Sequence, residues 1–112
     1  MELGLLGYQY IATLKFDNQL QVKDFEDIVN EIYKKLTVLS YAIYKFNDGG
    51  ITGFLLIAES HIAFHYWIQQ NVLTLDIFTC STKEVTEEVL KLFIDKLKPT
   101  EYITQFNIRT TL

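Results

Sequence analysis

The sequence predicts an α+β fold, a two-layer sandwich with a mainly antiparallel sheet and two helices on one of its faces. Three observations predict it. Two segments carry apolar residues at three- and four-residue spacing, as amphipathic helices do. Six others are short runs rich in β-branched and aromatic residues, and four of those six follow one another with no helix between, which favours an antiparallel meander. The 112 residues contain no repeat, linker or low-complexity stretch, so one domain over 1–112 is expected.

Residues 8–16 alternate roughly, with Tyr8, Tyr10, Ala12 and Leu14 set against Gln9, Thr13 and Lys15, and read as a strand ended by Asp17-Asn18. Val22, Phe25, Ile28, Val29, Ile32 and Leu36 then recur at helical spacing, with acids early and Lys34-Lys35 late, matching the helix dipole. Strands over 36–46 and 51–58 are joined at Asn47-Asp48-Gly49-Gly50, where two glycines are expected to supply the positive φ of a tight turn. Strands over 61–67 and 72–79 follow, joined through Gln69-Gln70-Asn71. Ser81 and Glu84 read as a capping box for a helix with Val85, Val89, Phe93 and Leu97 on one face, stopped by Pro99. A last strand covers 102–109.

In residues 51–58 both alternating sets are apolar: Ile51, Leu55 and Ile57 on one side, Phe54, Leu56 and Ala58 on the other. A sheet face without helices over it is polar if it meets water. The expectation is therefore a homodimer, or a higher homo-oligomer, that covers the open face. A domain of this size buries only about two-thirds of the surface its unfolded chain exposes, so a second copy adds what one core lacks.

Composition excludes several classes. One cysteine makes no internal disulfide and no multi-cysteine zinc site, so no metal is expected and a reducing, cytoplasmic setting fits. Ten basic residues against fourteen acidic, with no basic run beyond Lys34-Lys35, give no electrostatic footprint for nucleic acid. Residues 1–7 show neither a basic leader nor a sustained apolar stretch, so no signal peptide or membrane span is expected.

The residues able to carry chemistry concentrate in Glu59-Ser60-His61-Ile62-Ala63-Phe64-His65-Tyr66-Trp67 and, one strand later, Phe78-Thr79-Cys80. Alternation puts His61, His65 and Trp67 on one side of their strand. With a turn near Gln70, regular pairing brings Cys80 back beside Ser60, so a hydroxyl, an imidazole and a thiol are expected in one small region. Each has an ordinary reading: a lone cysteine as a small core residue, a strand histidine as a hydrogen-bonded core group, a serine at a junction as turn chemistry. As a cysteine hydrolase the set is incomplete, because no orienting Asn or Asp and no oxyanion hole can be assigned.

Glu59-Ser60-His61, His65-Tyr66-Trp67 and Asp76-Ile77-Phe78-Thr79-Cys80 together closely resemble the prokaryotic S-adenosylmethionine decarboxylase proenzymes. The resemblance runs from about Gly7 to Ser81 and includes Tyr44-Lys45-Phe46 and Gly50-Ile51-Thr52-Gly53. It implies a self-processing enzyme with a two-layer fold. Cleavage between Glu59 and Ser60 would leave a β-chain of 1–59 and an α-chain of 60–112, with Ser60 converted into a covalent pyruvoyl group. That group would form a Schiff base with a small-molecule amine substrate and act as an electron sink. The resemblance further implies His65 as the processing base, Cys80 as the proton donor in decarboxylation, and Thr52 as processing support where the family has serine. Phe46 and Trp67 would bind substrate.

Departures from the family pattern bear on the substrate. Ile68-Gln69 replaces a Pro-Glu pair whose carboxylate receives ribose hydroxyls, and an amide at Gln69 would weaken that binding by roughly 1–2 kcal/mol. Gly7-Tyr8-Gln9 replaces Gly-x-His, and Ser81 replaces a glycine. Three readings follow: S-adenosylmethionine decarboxylation supplying the aminopropyl donor for spermidine, a pyruvoyl-dependent arginine or ornithine decarboxylase of the same superfamily, and an unprocessed paralogue that regulates an active partner.

Overall fold

Strand alternation decides which side of the sheet becomes core. The computed structural model describes residues 4–112; residues 1–3, part of the stretch read as lacking a leader, lie outside the described residues. The elements run β1 (Leu5–Lys15), α1 (Val22–Tyr33), β2 (Val38–Lys45), β3 (Ile51–Ile57), β4 (Ser60–Trp67), β5 (Val72–Thr79), α2 (Lys83–Leu97) and β6 (Glu101–Thr110). They form one antiparallel sheet in the order β2-β3-β4-β5-β1-β6. The expected α+β architecture and the β2–β5 meander are both present, with β1 inserted between β5 and β6. Among the described residues, no helix is long and apolar enough to cross a membrane.

One face of the sheet presents Leu14, Ile51, Leu55, Ile57, Ile62, Phe64, Leu73, Leu75 and Ile77, all buried. Against it α1 buries Phe25, Ile28, Val29 and Ile32, and α2 buries Val89, Leu90, Phe93 and Leu97, in a single core. Phe64 lies between the helices, 4.5 Å from the Phe25 ring and 6.2 Å from Phe93. Its ring crosses the strand over Gly53, its partner on β3, at a point where any Cβ would collide with it. That close approach is why position 53 has no side chain.

Several local expectations are corrected. The cap of α2 is Thr82, whose hydroxyl accepts the Val85 N–H at 3.2 Å; Ser81 sits one residue too early to reach the first turn. In the β2–β3 turn only Gly49 takes a positive φ, 99°, because the Asp48 carboxylate accepts the Gly50 N–H at 2.8 Å and so closes the turn from its side chain. Helix α1 ends at Tyr33, so Lys34 and Lys35 stand beyond its last turn, and its N-terminus is held by Asp24 accepting the Gln21 N–H at 2.7 Å. Leu36 then packs on the core from the connection rather than from the helix.

The other face of the sheet has no helix. It exposes Ile11, Phe54, Leu56 and Trp67, each 41–49% accessible.

Candidate active site

The β3–β4 connection is a two-residue hairpin, Ala58-Glu59, since Ile57 pairs with Ser60. Turns this tight favour glycine or asparagine where φ is positive. Here Glu59 itself takes φ 63°, a left-handed conformation that costs a residue with a Cβ about 1–2 kcal/mol. The strained residue immediately precedes Ser60.

Cys80 lies directly against this bond. Its backbone N–H donates to Ser60 Oγ at 3.1 Å, and its Sγ–H donates to the Glu59 carbonyl oxygen at 2.6 Å. The serine oxygen is therefore oriented by the same residue whose thiol polarises the neighbouring carbonyl. Regular β4–β5 pairing, with His61 opposite Phe78, brings the two ends together as the register predicts. A cleft of about 320 Å³ opens here, lined by Lys35, Thr37, Glu59, Ser60 and Cys80.

Cys80 is itself held from below by a hydroxyl relay that periodicity gave no reason to single out. The Thr79 and Thr86 side chains are buried and 2.7 Å apart. Thr86 Oγ1 also contacts the Thr82 carbonyl, at 2.8 Å, and since a carbonyl only accepts, the one Thr86 proton goes there. Thr79 must then donate to Thr86, leaving its lone pairs to accept the Ser81 N–H at 3.3 Å. The end of β5 is thereby tied to the first turn of α2, fixing Cys80 between Thr79 and Ser81.

The remaining candidates sit at the opposite end of β4. The His65 and Trp67 ring centroids are 4.0 Å apart, Phe46 lies 6.0 Å from His65, and Thr52 is the cross-strand partner of His65. Thr52 Oγ1 donates to the Phe64 carbonyl at 3.2 Å. A second cleft, about 430 Å³, is lined by Phe46, Asp48, His65, Trp67, Gln69 and Gln70.

Of the three groups expected in one region, the structure thus brings two together. Ser60 and Cys80 meet; His65, five residues along β4, is displaced by about 16 Å at strand rise and, at an odd spacing, points to the opposite face from Ser60. His61, the residue after Ser60, lies on the open face, between the Phe54 and Phe78 rings at 6.3 and 5.7 Å, with Nε2 3.6 Å from Asp76 Oδ2. Asp76 in turn accepts from Gln9 at 2.9 Å, and Gln9 accepts from Arg109 at 3.2 Å. This polar line crosses the apolar open face.

The fold and the site together define a class: a two-layer α+β protein with a serine peptide bond strained and polarised at one sheet end and an aromatic cleft at the other. A family-level match to S-adenosylmethionine decarboxylase spans residues 15–110. The S-adenosylmethionine decarboxylase proenzyme of Archaeoglobus fulgidus is 43% identical over 77 residues, covering 67% of this chain and 69% of that protein. That of Sulfurihydrogenibium sp. is 39% identical over 99 residues, covering 84% and 74%. The proenzyme of Thermoplasma acidophilum, at 38% over 77 residues, is matched over only 59% of its own length. The crystal structure of the adenosylmethionine decarboxylase from Aquifex aeolicus superposes with a TM-score of 0.85 at 27% identity, covering 97% of this chain and 94% of that one. The chain belongs to the S-adenosylmethionine decarboxylase family.

Proposed function

We propose that this chain is the proenzyme of a pyruvoyl-dependent S-adenosylmethionine decarboxylase, which cleaves itself between Glu59 and Ser60 and works as a homodimer. The observation that carries the reading is the junction itself: a left-handed Glu59 preceding a serine whose oxygen and whose neighbouring carbonyl are both held by Cys80. Ser60 Oγ attacks the Glu59 carbonyl carbon, the C–N bond breaks, and the amine of residue 60 takes up the hydroxyl proton, leaving an ester. Strain at Glu59 is released in this step, and the Cys80 thiol supports the developing oxyanion. Loss of the α-proton of residue 60 then expels Glu59 as a carboxylate. The resulting dehydroalanine tautomerises to an imine as its β-carbon takes up a proton, and hydrolysis of that imine releases ammonia and leaves a pyruvoyl group heading the 60–112 chain.

The α-proton needs a base, and His65 has the right chemistry at the wrong distance within its own chain. Two copies packed through their open faces resolve this. Aligned sheets stack about 10 Å apart, and a two-fold axis in the interface near Ala63, midway along β4, sets the Ser60 end of one strand over the His65 end of the other. The partner's His65, with Thr52 beside it, then approaches each cleavage site from the open face, on the side away from the Ser60 side chain, where it reaches the backbone α-hydrogen of residue 60. The same operation covers Ile11, Phe54 and Leu56, whose exposure a lone copy leaves unexplained.

When formed, the pyruvoyl carbonyl supplies the acceptor for the substrate amine and the sink for the electron pair left by departing carbon dioxide. The chain's own residues do the rest. Phe46 and Trp67 offer aromatic faces to the adenine ring, Gln69 contributes an amide to the lining of the same cleft, and Cys80 returns a proton to the substrate α-carbon. A thiol that must remain free suits the reducing cytoplasm. The product serves as aminopropyl donor for spermidine synthesis.

Denaturing mass spectrometry tests this reading. Purified wild-type protein is expected as two chains, 1–59 and 60–112, the second beginning with a pyruvoyl group, while Ser60→Ala remains one chain of 112 residues. A wild-type protein that stays intact, or a Ser60→Ala protein cut at the same bond, contradicts it.

A further inference from the structure

We propose that Asp48 is a specificity-determining residue that receives the ribose 2′- and 3′-hydroxyls of the substrate; this rests on the reading of the substrate as S-adenosylmethionine. The cleft at the Trp67 end of β4 is lined by the aromatic side chains Phe46, His65 and Trp67, which suit a base ring, and among its lining residues Asp48 is the single carboxylate. One Asp48 oxygen is engaged, accepting the Gly50 N–H at 2.8 Å to close the β2–β3 turn. That bond fixes the carboxylate on the rim of the cleft, on a turn already braced by the Gly49 N–H donating to the Phe46 carbonyl at 3.0 Å. Among the described residues Asp48 takes part in no ion pair, so its charge is not neutralised by the protein.

A nucleoside seated on Phe46 and Trp67 carries its sugar at the edge of the ring stack, where two vicinal hydroxyls need acceptors. A carboxylate is the side chain that accepts both with charge assistance, whereas the amides of Gln69 and Gln70 each divide their capacity between donor and acceptor. The turn that holds Asp48 also ends at Gly50, immediately before β3 and Thr52. Hydroxyl recognition is therefore built into the same hairpin as the Thr52–His65 pair.

The test compares 5′-methylthioadenosine with its 2′,3′-dideoxy counterpart by calorimetry, on processed wild-type protein and on Asp48→Asn. Asparagine keeps a carbonyl oxygen for the Gly50 N–H, so the turn survives and only the charge is lost. Wild-type protein is expected to prefer the hydroxylated nucleoside by about tenfold, and Asp48→Asn to bind the two alike. In steady-state assays the variant is expected to raise KM for S-adenosylmethionine about tenfold with kcat within about twofold. A variant that keeps the wild-type hydroxyl preference overturns the role of Asp48, as does wild-type protein that binds neither nucleoside. Release of carbon dioxide from arginine or ornithine but not from S-adenosylmethionine overturns instead the substrate reading beneath it.

Discussion

At the scale of single residues, Cys80 is the side chain asked to do most. Its thiol approaches the Glu59 carbonyl before cleavage and is the proposed acid after decarboxylation, and these roles separate by mutation. Cys80→Ala is expected to slow decarboxylation by about 10²- to 10⁴-fold, the usual contribution of a general acid. Self-cleavage should slow only about tenfold, since an S–H group is a weak donor. Cys80→Ser, which restores a donor, should recover cleavage more than decarboxylation, and intact-mass time courses beside carbon dioxide release report the two separately. Equal losses in both would show the thiol to be structural. The Ser60–Cys80 meeting was legible from the hairpin arithmetic, because regular antiparallel pairing fixes register once a turn is located. The same alternation contained the counter-indication for His65, since an odd spacing on one strand points two side chains to opposite faces. The Thr79–Thr86 relay was not legible: two threonines seven positions apart, one on a strand and one on a helix, carry no shared period.

At the scale of elements, sequence patterning located all eight and misjudged their ends, where side-chain hydrogen bonds rather than hydrophobic period decide. Thr82 displaced Ser81 as the cap, and Asp48 took over part of a turn assigned to two glycines. The join of β1 to α2 is another such bond. Tyr10 on β1 donates to Glu87 on α2 at 2.8 Å, with its ring 4.8 Å from Phe106 on β6. Burial, then the Glu87 carboxylate, pushes the Tyr10 phenol from its ordinary 10.0 up to about 12. The folded chain thus holds this proton where the unfolded chain has released it, so the associated stability is complete below pH 10 and is lost as pH rises toward 12. Urea unfolding between these values is expected to show ΔG falling with pH for wild-type protein and a flatter dependence for Tyr10→Phe. Because the group is partly solvated, the difference should stay below the full one-proton slope of about 1.4 kcal/mol per pH unit. Identical slopes would mean that the β1–α2 contact does not hold the proton.

For the whole molecule, the two apolar sets of β3 marked the open face in advance, and the structure leaves Phe54 and Leu56 exposed there. What one sequence could not display is that the candidate site is divided between the two ends of β4, because periodicity describes one chain, whereas in the proposed homodimer the completing residues come from the partner. In the proposed dimer, cleavage at Glu59–Ser60 depends on a site assembled from two chains. Co-expression of Ser60→Ala with His65→Ala tests it most directly, each carrying a distinct mass tag and read by denaturing mass spectrometry. Neither variant alone should be cut. Together, the His65→Ala chain, which keeps its serine, should be cut between Glu59 and Ser60 by the imidazole of its Ser60→Ala partner. Cleavage of the His65→Ala protein on its own, or of neither chain in the mixed dimer, would show that the partner's imidazole is not the base.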